Sequence, residues 1–479
     1  MTVSMVSSVI LSLARAGATT RAWDSFVSAG LADVGNDPAA LTLKGRLLKD
    51  QARKARGDTV ARLYVQSAKA YADAAALHPD TYPLINAATM SLFAGQPGHM
   101  ELLAQTVLTM LENGIGAGET PYWHEATRAE ALLLLGRQGD AQAALDKAII
   151  AAPAAWEDRA ATLRQFRQIL EYRGQAWQWL ADYAAPTSVY FSGMIAIEPD
   201  DAHAADTARN AVIAANAGFG YGAIAAGADI LIAEALIEHG AELHIVLPTL
   251  PSVFRTHSVA PYGTAWLPRF DRLFEQAATV TIAADGDMLT EASINLAKLI
   301  AKGAAIENAG RLEGRANGLS MNDHPSPDFE PATDVFVALE RSMPLPPMTL
   351  AKGDIRIVIA SDYAGSDTGN WKPVADGFYA LSTDSLTSVA DLLIGLRRTA
   401  PEARCATLVA AVHMADEGGD THVAQAVRMA QCATAGTSVA DAGSARAMLS
   451  QCPDMRTEPL GELPDANGAI EIYAIEPQT

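Results

Sequence analysis

The sequence predicts a multidomain chain: an all-α region, an α/β region on a parallel sheet, and an α+β region. Three observations carry that prediction. Apolar residues recur at helical spacing through residues 1–185, broken by short gaps that hold Gly or Pro. From Thr187 the pattern changes to short apolar runs alternating with helical stretches, as strands joined by crossover helices require. A proline-rich stretch then precedes a new run of strand, hairpin and helix. The expected regions are 1–185, 186–323, a linker at 324–353, and 354–479.

Composition narrows the function. Of 479 residues, 49% are hydrophobic, enough for each region to build its own core. The net charge is −20 and uneven: residues 1–185 hold 17 basic and 18 acidic side chains, the rest 18 and 37. That balance argues against nucleic acid or an anionic membrane as a partner, since both need positive surface. Cys405, Cys432 and Cys452 form neither a disulfide framework nor a zinc spacing, which points to the cytoplasm. The first 18 residues lack a basic leader and carry Arg15, so they read as an amphipathic helix rather than a signal peptide. The apolar region Ala211–Ile237 is broken by glycines, Asp229 and Glu234, so it is not a membrane span.

In the first region, helices are expected near Ala40–Arg56, Ala61–Leu77, Tyr82–Ala94, Met100–Asn113, Tyr122–Leu135, Gln138–Ala151, Ala155–Arg173 and Ala176–Tyr183. Paired helices of this length, with Gly95, Pro97, Gly136 and Pro153 in the breaks, suggest tetratricopeptide-like hairpins. Ala68, Ala70, Ala72, Ala74 and Ala75 would permit close helix crossing. Trp123, Trp156 and Trp177 could mark a peptide groove, although core packing explains any one of them more simply. The stretches Leu41–Ala55, Thr81–Thr89, Thr120–Gly136 and Ala155–Phe166 resemble the TRAFs-binding region, a tetratricopeptide-type module of signalling proteins. The resemblance implies a scaffold that binds a protein partner.

In the second region, strands are expected at Val189–Met194, Tyr221–Ile224, Leu243–Leu247, Val280–Ala283 and Asn317–Met321. Helices are expected at Ala202–Ala217, Ala228–His239, Trp266–Gln276 and Leu289–Gly310. This alternation predicts a Rossmann-like, doubly wound sheet. Gly220, Gly222 and Gly227 do not have the spacing of a dinucleotide fingerprint, and Gly218 and Gly220 are placed before the second strand. A helix opening behind Gly227 at a strand's carboxyl end is nevertheless where such sheets hold phosphates. The run Gly227–Asp229 resembles the turn of SLOG-type and TIR-like Rossmannoid domains. That resemblance implies a nucleotide or NAD-derived ligand at Gly222 and Gly227, with Asp229 or Glu234 on a ribose and Arg255 on a phosphate. The plainer expectation is a tight turn at Gly227, a helix cap at Asp229 and a solvated Arg255.

In the last region, the expected order is a strand (Asp354–Gly365), a hairpin (Lys372–Ser382), a helix (Leu386–Arg398), a strand (Thr407–Met414), a helix (Thr421–Ala433), a strand (Thr437–Asp441) and a closing hairpin (Glu458–Leu463, Ala469–Ile475). That order belongs to the ferredoxin-like α+β class. Residues Asp354–Glu476 resemble class III nucleotide cyclases. The resemblance implies that Asp362 and Asp376 hold Mg²⁺ or Mn²⁺ with a nucleotide, that Lys372 selects a purine, and that Arg428 meets the transition-state charge. The sequence departs from that family at Ala424, where a catalytic asparagine belongs, at Ala375 and at Pro373. It also leaves only 13 residues between the two aspartates. The acids of Asp416–Asp420 supply no assignable base-reading group. A degenerate cyclase-homology domain is therefore expected, with dimerisation and nucleotide binding as its remaining roles.

Together these features predict an intracellular signalling protein with little or no catalysis. It would bind a protein through residues 1–185 and a nucleotide or NAD-derived ligand in the middle, and would form a homodimer. The alternatives are an active purine nucleotide cyclase and a TIR-like NAD-consuming effector of bacterial immunity.

Overall fold

The computed structural model describes residues 7, 10–11, 13–15, 19–115, 120–284, 286–325, 330, 333–345, 350–364, 371–413, 419–465 and 468–477. Parts of the expected N-terminal helix, the proline-rich stretch, the segment between Asp362 and Asp376, and most of Asp416–Asp420 lie outside these residues. The chain forms two compact units, 1–184 and 185–479. No described helix is long and apolar enough to cross a membrane.

The first unit is helical: α1 (Thr19–Ser28), α2 (Pro38–Lys54), α3 (Asp58–Leu77), α4 (Thr81–Phe93), α5 (Pro97–Glu112), α6 (Pro121–Leu134), α7 (Gln138–Ala151) and α8 (Trp156–Tyr172), then a 3₁₀ turn at Gln178–Tyr183. The ends follow local chemistry. Asp37 and Asp80 accept from backbone amides of the first turns of α2 and α4, and Pro stands at the start of α2, α5 and α6. Two of the turns are copies of each other. Gly95 (φ 71°) and Gly136 (φ 75°) adopt the left-handed conformation, and the next residue's N–H closes on a carbonyl five residues back at 2.9 Å. That closure lets α5 and α7 fold straight back onto α4 and α6. The absent side chain of Gly45 admits the Tyr71 ring, whose atoms would lie 2.7 Å from a Cβ there. Tyr71, Met90, Leu133, Leu145 and Phe166 fill the interior. The three tryptophans are not core residues. Trp123 and Trp156 are half-buried, Trp177 is exposed, and Arg159 and Arg167 lie over the rings of Trp156 and Trp177.

The second unit holds two sheets. The first comprises β1 (Thr187–Gly193), β2 (Ala217–Gly222), β3 (Glu242–Leu247), β4 (Thr279–Ile282), β5 (Ala316–Asn322) and β6 (Val335–Ala338). All are parallel, in the order β4-β3-β2-β1-β5-β6. The crossovers are α9 (Ala202–Ala214), α10 (Ala228–Glu238), α11 (Trp266–Gln276) and α12 (Glu291–Arg311). Two expectations are corrected. Gly218 and Gly220 lie inside β2, where they make room for Pro186 and Leu236. The stretch expected as a linker contributes β6, because its four residues Val335–Ala338 are too short to stand out among prolines.

The second sheet is mixed, in the order β12-β13-β11-β10-β7-β9-β8. Its strands are β7 (Gly353–Ser361), β8 (Lys372–Pro373), β9 (Tyr379–Thr383), β10 (Cys405–His413), β11 (Ser438–Asp441), β12 (Met455–Asp465) and β13 (Gly468–Pro477). Only β10 and β11 pair in parallel. Its helices are α13 (Leu386–Thr399), α14 (Gly419–Cys432) and α15 (Ala442–Gln451). α15 was not expected from sequence. Asp441 ends β11 and caps α15 by accepting from Ser444, so strand and helix share a boundary with no loop between them.

α12 joins the two sheets. It packs on β1, β2, β3 and β5 from one side and meets β7, β10 and α15 from the other. A Cβ on Gly303 would overlap the Arg446 carbonyl oxygen and stand 2.5 Å from its carbon. The ion pair of Arg446 with Glu307 at 2.8 Å lies beside that crossing.

Candidate functional site

The glycine turn at the head of α10 is closed by the chain itself. Gly227 has φ 113°, and a Cβ there would stand 2.6 Å from the Met194 carbonyl oxygen. Ala228 N–H donates to that same oxygen at 2.9 Å, so the helix N-terminus is partly satisfied internally. Asp229 turns inward. Its carboxylate accepts from Gly193 N–H at 2.6 Å and Ala225 N–H at 3.3 Å, and burial pushes its pKa up to about 7 against the pull of those donors. It stitches the end of β1 to the loop after β2. Gly222 is buried against the Phe191 carbonyl and ring.

The other expected ligand groups have partners elsewhere. Glu234 accepts from Arg269 Nε at 2.9 Å and also pairs with Arg269 Nη2 and Arg272 Nη2, which ties α10 to α11. Arg255 forms a two-bond pair with Asp271 at 2.8 and 2.9 Å on the exposed face of α11. The sheet changes its direction of growth between β1 and β5, the usual ligand crevice of such an order. There the segment after β6 crosses the strand ends. Leu339 N–H donates to Asn322 O, Met343 N–H donates to Ala196 O, and Ser342 Oγ accepts from Glu198 N–H.

Three of the expected cyclase groups likewise have partners. Asp362 accepts from the Arg404 backbone N–H and Nε, both at 2.8 Å. Asp376 sits in a left-handed turn (φ 55°) between β8 and β9 and accepts from Gln431 at 3.1 Å. Arg428 donates to the Pro464 carbonyl at 3.0 Å, and Lys372 is exposed on the two-residue edge strand β8. No group of three His, Cys, Asp or Glu suited to a metal occurs among the described residues. A metal would have to displace Arg404 from Asp362, so these residues do not fit one.

A different site emerges in the helical unit. A cavity of about 410 Å³ opens where α2 and α4 begin and α3 ends. Its apolar wall includes Leu11, Leu43 and Pro83, and its polar groups include Thr42, Arg46 and Tyr82. Arg46 meets Asp50 only at 4.0 Å, and the Asp80 carboxylate is engaged in capping α4. Elsewhere in the unit a set of polar contacts joins α4, α6 and α8. Glu130 on α6 accepts from Thr89 on α4 at 2.6 Å and from Gln165 on α8 at 3.3 Å, and burial pushes its pKa up. Burial pushes the Lys49 ammonium on α2 down to about 8. Sequence reading did not single out Arg46, Lys49 or Glu130. The available signal was the placement of Arg46, Lys49 and Arg53 three and four residues apart, on one face of α2.

Residues 4–91 match the model of the TPR-S family, Tetratricopeptide Repeats-Sensor. The match spans the first described helices and every residue that lines this cavity. No curated protein and no solved structure matches the chain.

Proposed function

We propose that this is a signalling adaptor whose helical unit recognises a segment of a protein partner, with the cavity between α2, α3 and α4 as the point of recognition. One observation carries the proposal: a ligand-sized cavity whose lining falls wholly within the stretch that is similar to a tetratricopeptide sensor. A cavity of this volume, with an apolar wall and a few convergent polar groups, is suited to an anchoring side chain or a short peptide. Helical hairpins stacked in series present such surfaces without catalytic chemistry.

On this reading the rest of the chain serves as scaffold. The parallel sheet is taken as Rossmann-like and the mixed sheet as a ferredoxin-like, cyclase-derived fold. The occupied turn at Gly227 and the partnered aspartates favour a scaffold over nucleotide turnover. The test is a peptide-display selection on the full chain, repeated with Arg46→Glu. Peptides that bind the native chain and lose binding on substitution are expected. Peptides that bind both chains equally, or a selection that yields no binder, would overturn the proposal.

A further inference from the structure

Several charges gather around the face of α2 that opens on the cavity, and they are not equally spent. Asp50 lies between Arg46 at 4.0 Å and Arg53 at 3.8 Å, and Arg53 also donates to Gln168 Oε1 at 2.6 Å. The Asp80 carboxylate accepts from Tyr82 N–H, and Glu130 accepts from Thr89 and Gln165. These three acids therefore have partners. Two cations do not. Among the described residues Lys49 forms no hydrogen bond and no ion pair, and Arg46 has only the long contact with Asp50. They stand three residues apart on α2, which puts them on one helix face. Arg15, which is exposed, adds a further positive charge that acts on Tyr82. A neutral group stands beside them. Tyr71 on α3 is fully buried, and its hydroxyl has no hydrogen-bond partner among the described residues. Its ring lies against Gly45, the residue before Arg46, and Ala74, one turn further along α3, lines the cavity. Burial raises its pKa, and Tyr82 and Arg46 are among the charges that act on it. A buried hydroxyl without a partner is costly, and an oxygen of a ligand would satisfy it.

We infer that the segment bound at this cavity carries one acidic side chain, whose carboxylate lies between Arg46 and Lys49 and accepts from the Tyr71 hydroxyl. The inference rests on the reading of the helical unit as a receptor for a protein segment, and it adds the chemistry of that segment. Three properties select a carboxylate. The groups left without partners are two cations and a hydroxyl, and all of them can donate to an anionic oxygen. The Arg46 guanidinium offers two parallel donors, which match the two oxygens of a carboxylate. The surroundings tolerate one negative charge and not two: Asp50 stands 4.0 Å from Arg46, and the charge of Glu130 reaches Lys49 from α6, so a doubly charged phosphate would meet both acids. The apolar wall of Leu11, Leu43 and Pro83 is then free to take the residues beside the acid.

The experiment uses random peptides displayed by fusion through their C-termini, so that no terminal carboxylate is free, and selected on the full chain. The peptides recovered should share an Asp or Glu at one position. Each is then synthesised with an amidated C-terminus, once with the acid and once with Asn or Gln in its place, and binding is measured by fluorescence anisotropy. The amide form should bind roughly tenfold to a hundredfold more weakly, as expected for the loss of charged hydrogen bonds. Lys49→Met should weaken the acidic peptide by a similar factor and leave the amide form unchanged. Tyr71→Phe, which removes only the hydroxyl, should weaken the acidic peptide roughly fivefold. Urea unfolding checks that both variants fold. Peptides that lose binding to Arg46→Glu but share no acid, or whose amide forms bind as well, would overturn this inference and leave the receptor reading standing. So would equal losses for both peptide forms on Lys49→Met, or tighter binding when phosphoserine replaces the acid. A selection that recovers no peptide would overturn both.

Discussion

Replacing Gly303 with alanine tests the closest approach in the second unit. A helical glycine normally gains about 0.5–1 kcal/mol on becoming alanine, because the unfolded chain loses freedom. At Gly303 the new methyl would overlap the Arg446 carbonyl oxygen and stand 2.5 Å from its carbon and 2.9 Å from its Cα. Ordinary carbon contacts begin near 3.5 Å, so α12 and α15 must part by roughly 1 Å. The obstacle is backbone in the middle of a helix, and no side-chain rotation relieves it. Overpacking of this kind costs about 1–3 kcal/mol, and a rigid neighbour places it at the upper end. After the helix gain, the expected net loss is about 2 kcal/mol, or a fall of several degrees in the unfolding transition. Gly310 is the internal control: it lies on the same helix, is exposed, and has nothing within 4 Å of a Cβ. Gly310→Ala should raise the transition. Scanning calorimetry of both variants decides the matter. If Gly303→Ala were as stable as the native chain, or gained like Gly310→Ala, the two helices would not cross as described.

Two further predictions concern half-buried charge. Lys49 has a pKa of about 8 against an ordinary 10.5, so between those values the folded chain binds fewer protons than the unfolded one and stability rises with pH. Lys49→Met should therefore be more stable than the native chain near neutrality, by about 1–3 kcal/mol, and the advantage should shrink as pH approaches 10. Urea titrations at several pH values would show this, and a pH-independent loss would contradict it. Glu234→Gln should cost about 1–2 kcal/mol, because Arg269 and Arg272 would be left facing a neutral group. Unchanged stability in urea would mean that Glu234 is not committed to holding α10 on α11.

Local pattern made most elements legible. The helices of the first unit begin and end within a few residues of the expected positions, because Asp and Thr caps, prolines and turn glycines act on their own neighbours in the sequence. β1, β3, β4 and β5 of the parallel sheet are equally visible as short runs, whereas β2 begins four residues before the expected Tyr221 because its glycines hide it. The misses follow from the same locality. β6 is four residues among prolines, and its place is secured by Asp334, which accepts from Gly318 N–H and Tyr190 O–H far back in the chain. α15 shares its first residue boundary with a strand, so no break announces it.

The candidate sites show the limit more sharply. Asp362, Asp376, Glu234 and Arg255 are each of the residue type a ligand site needs, at plausible spacing. Whether such a group is available depends on what stands opposite, and Arg404, Gln431, Arg269 and Asp271 come from other elements, up to 55 residues away. Conversely, the cavity at Arg46 needs the start of α2, the end of α3 and the start of α4 together, and no single segment displays it. The sequence by itself determined the succession of helices and strands, since hydrophobic period and capping are short-range properties. Only the tertiary structure decided which charges are spent on one another and which surfaces stay open, because burial and ion pairing are properties of packed neighbours.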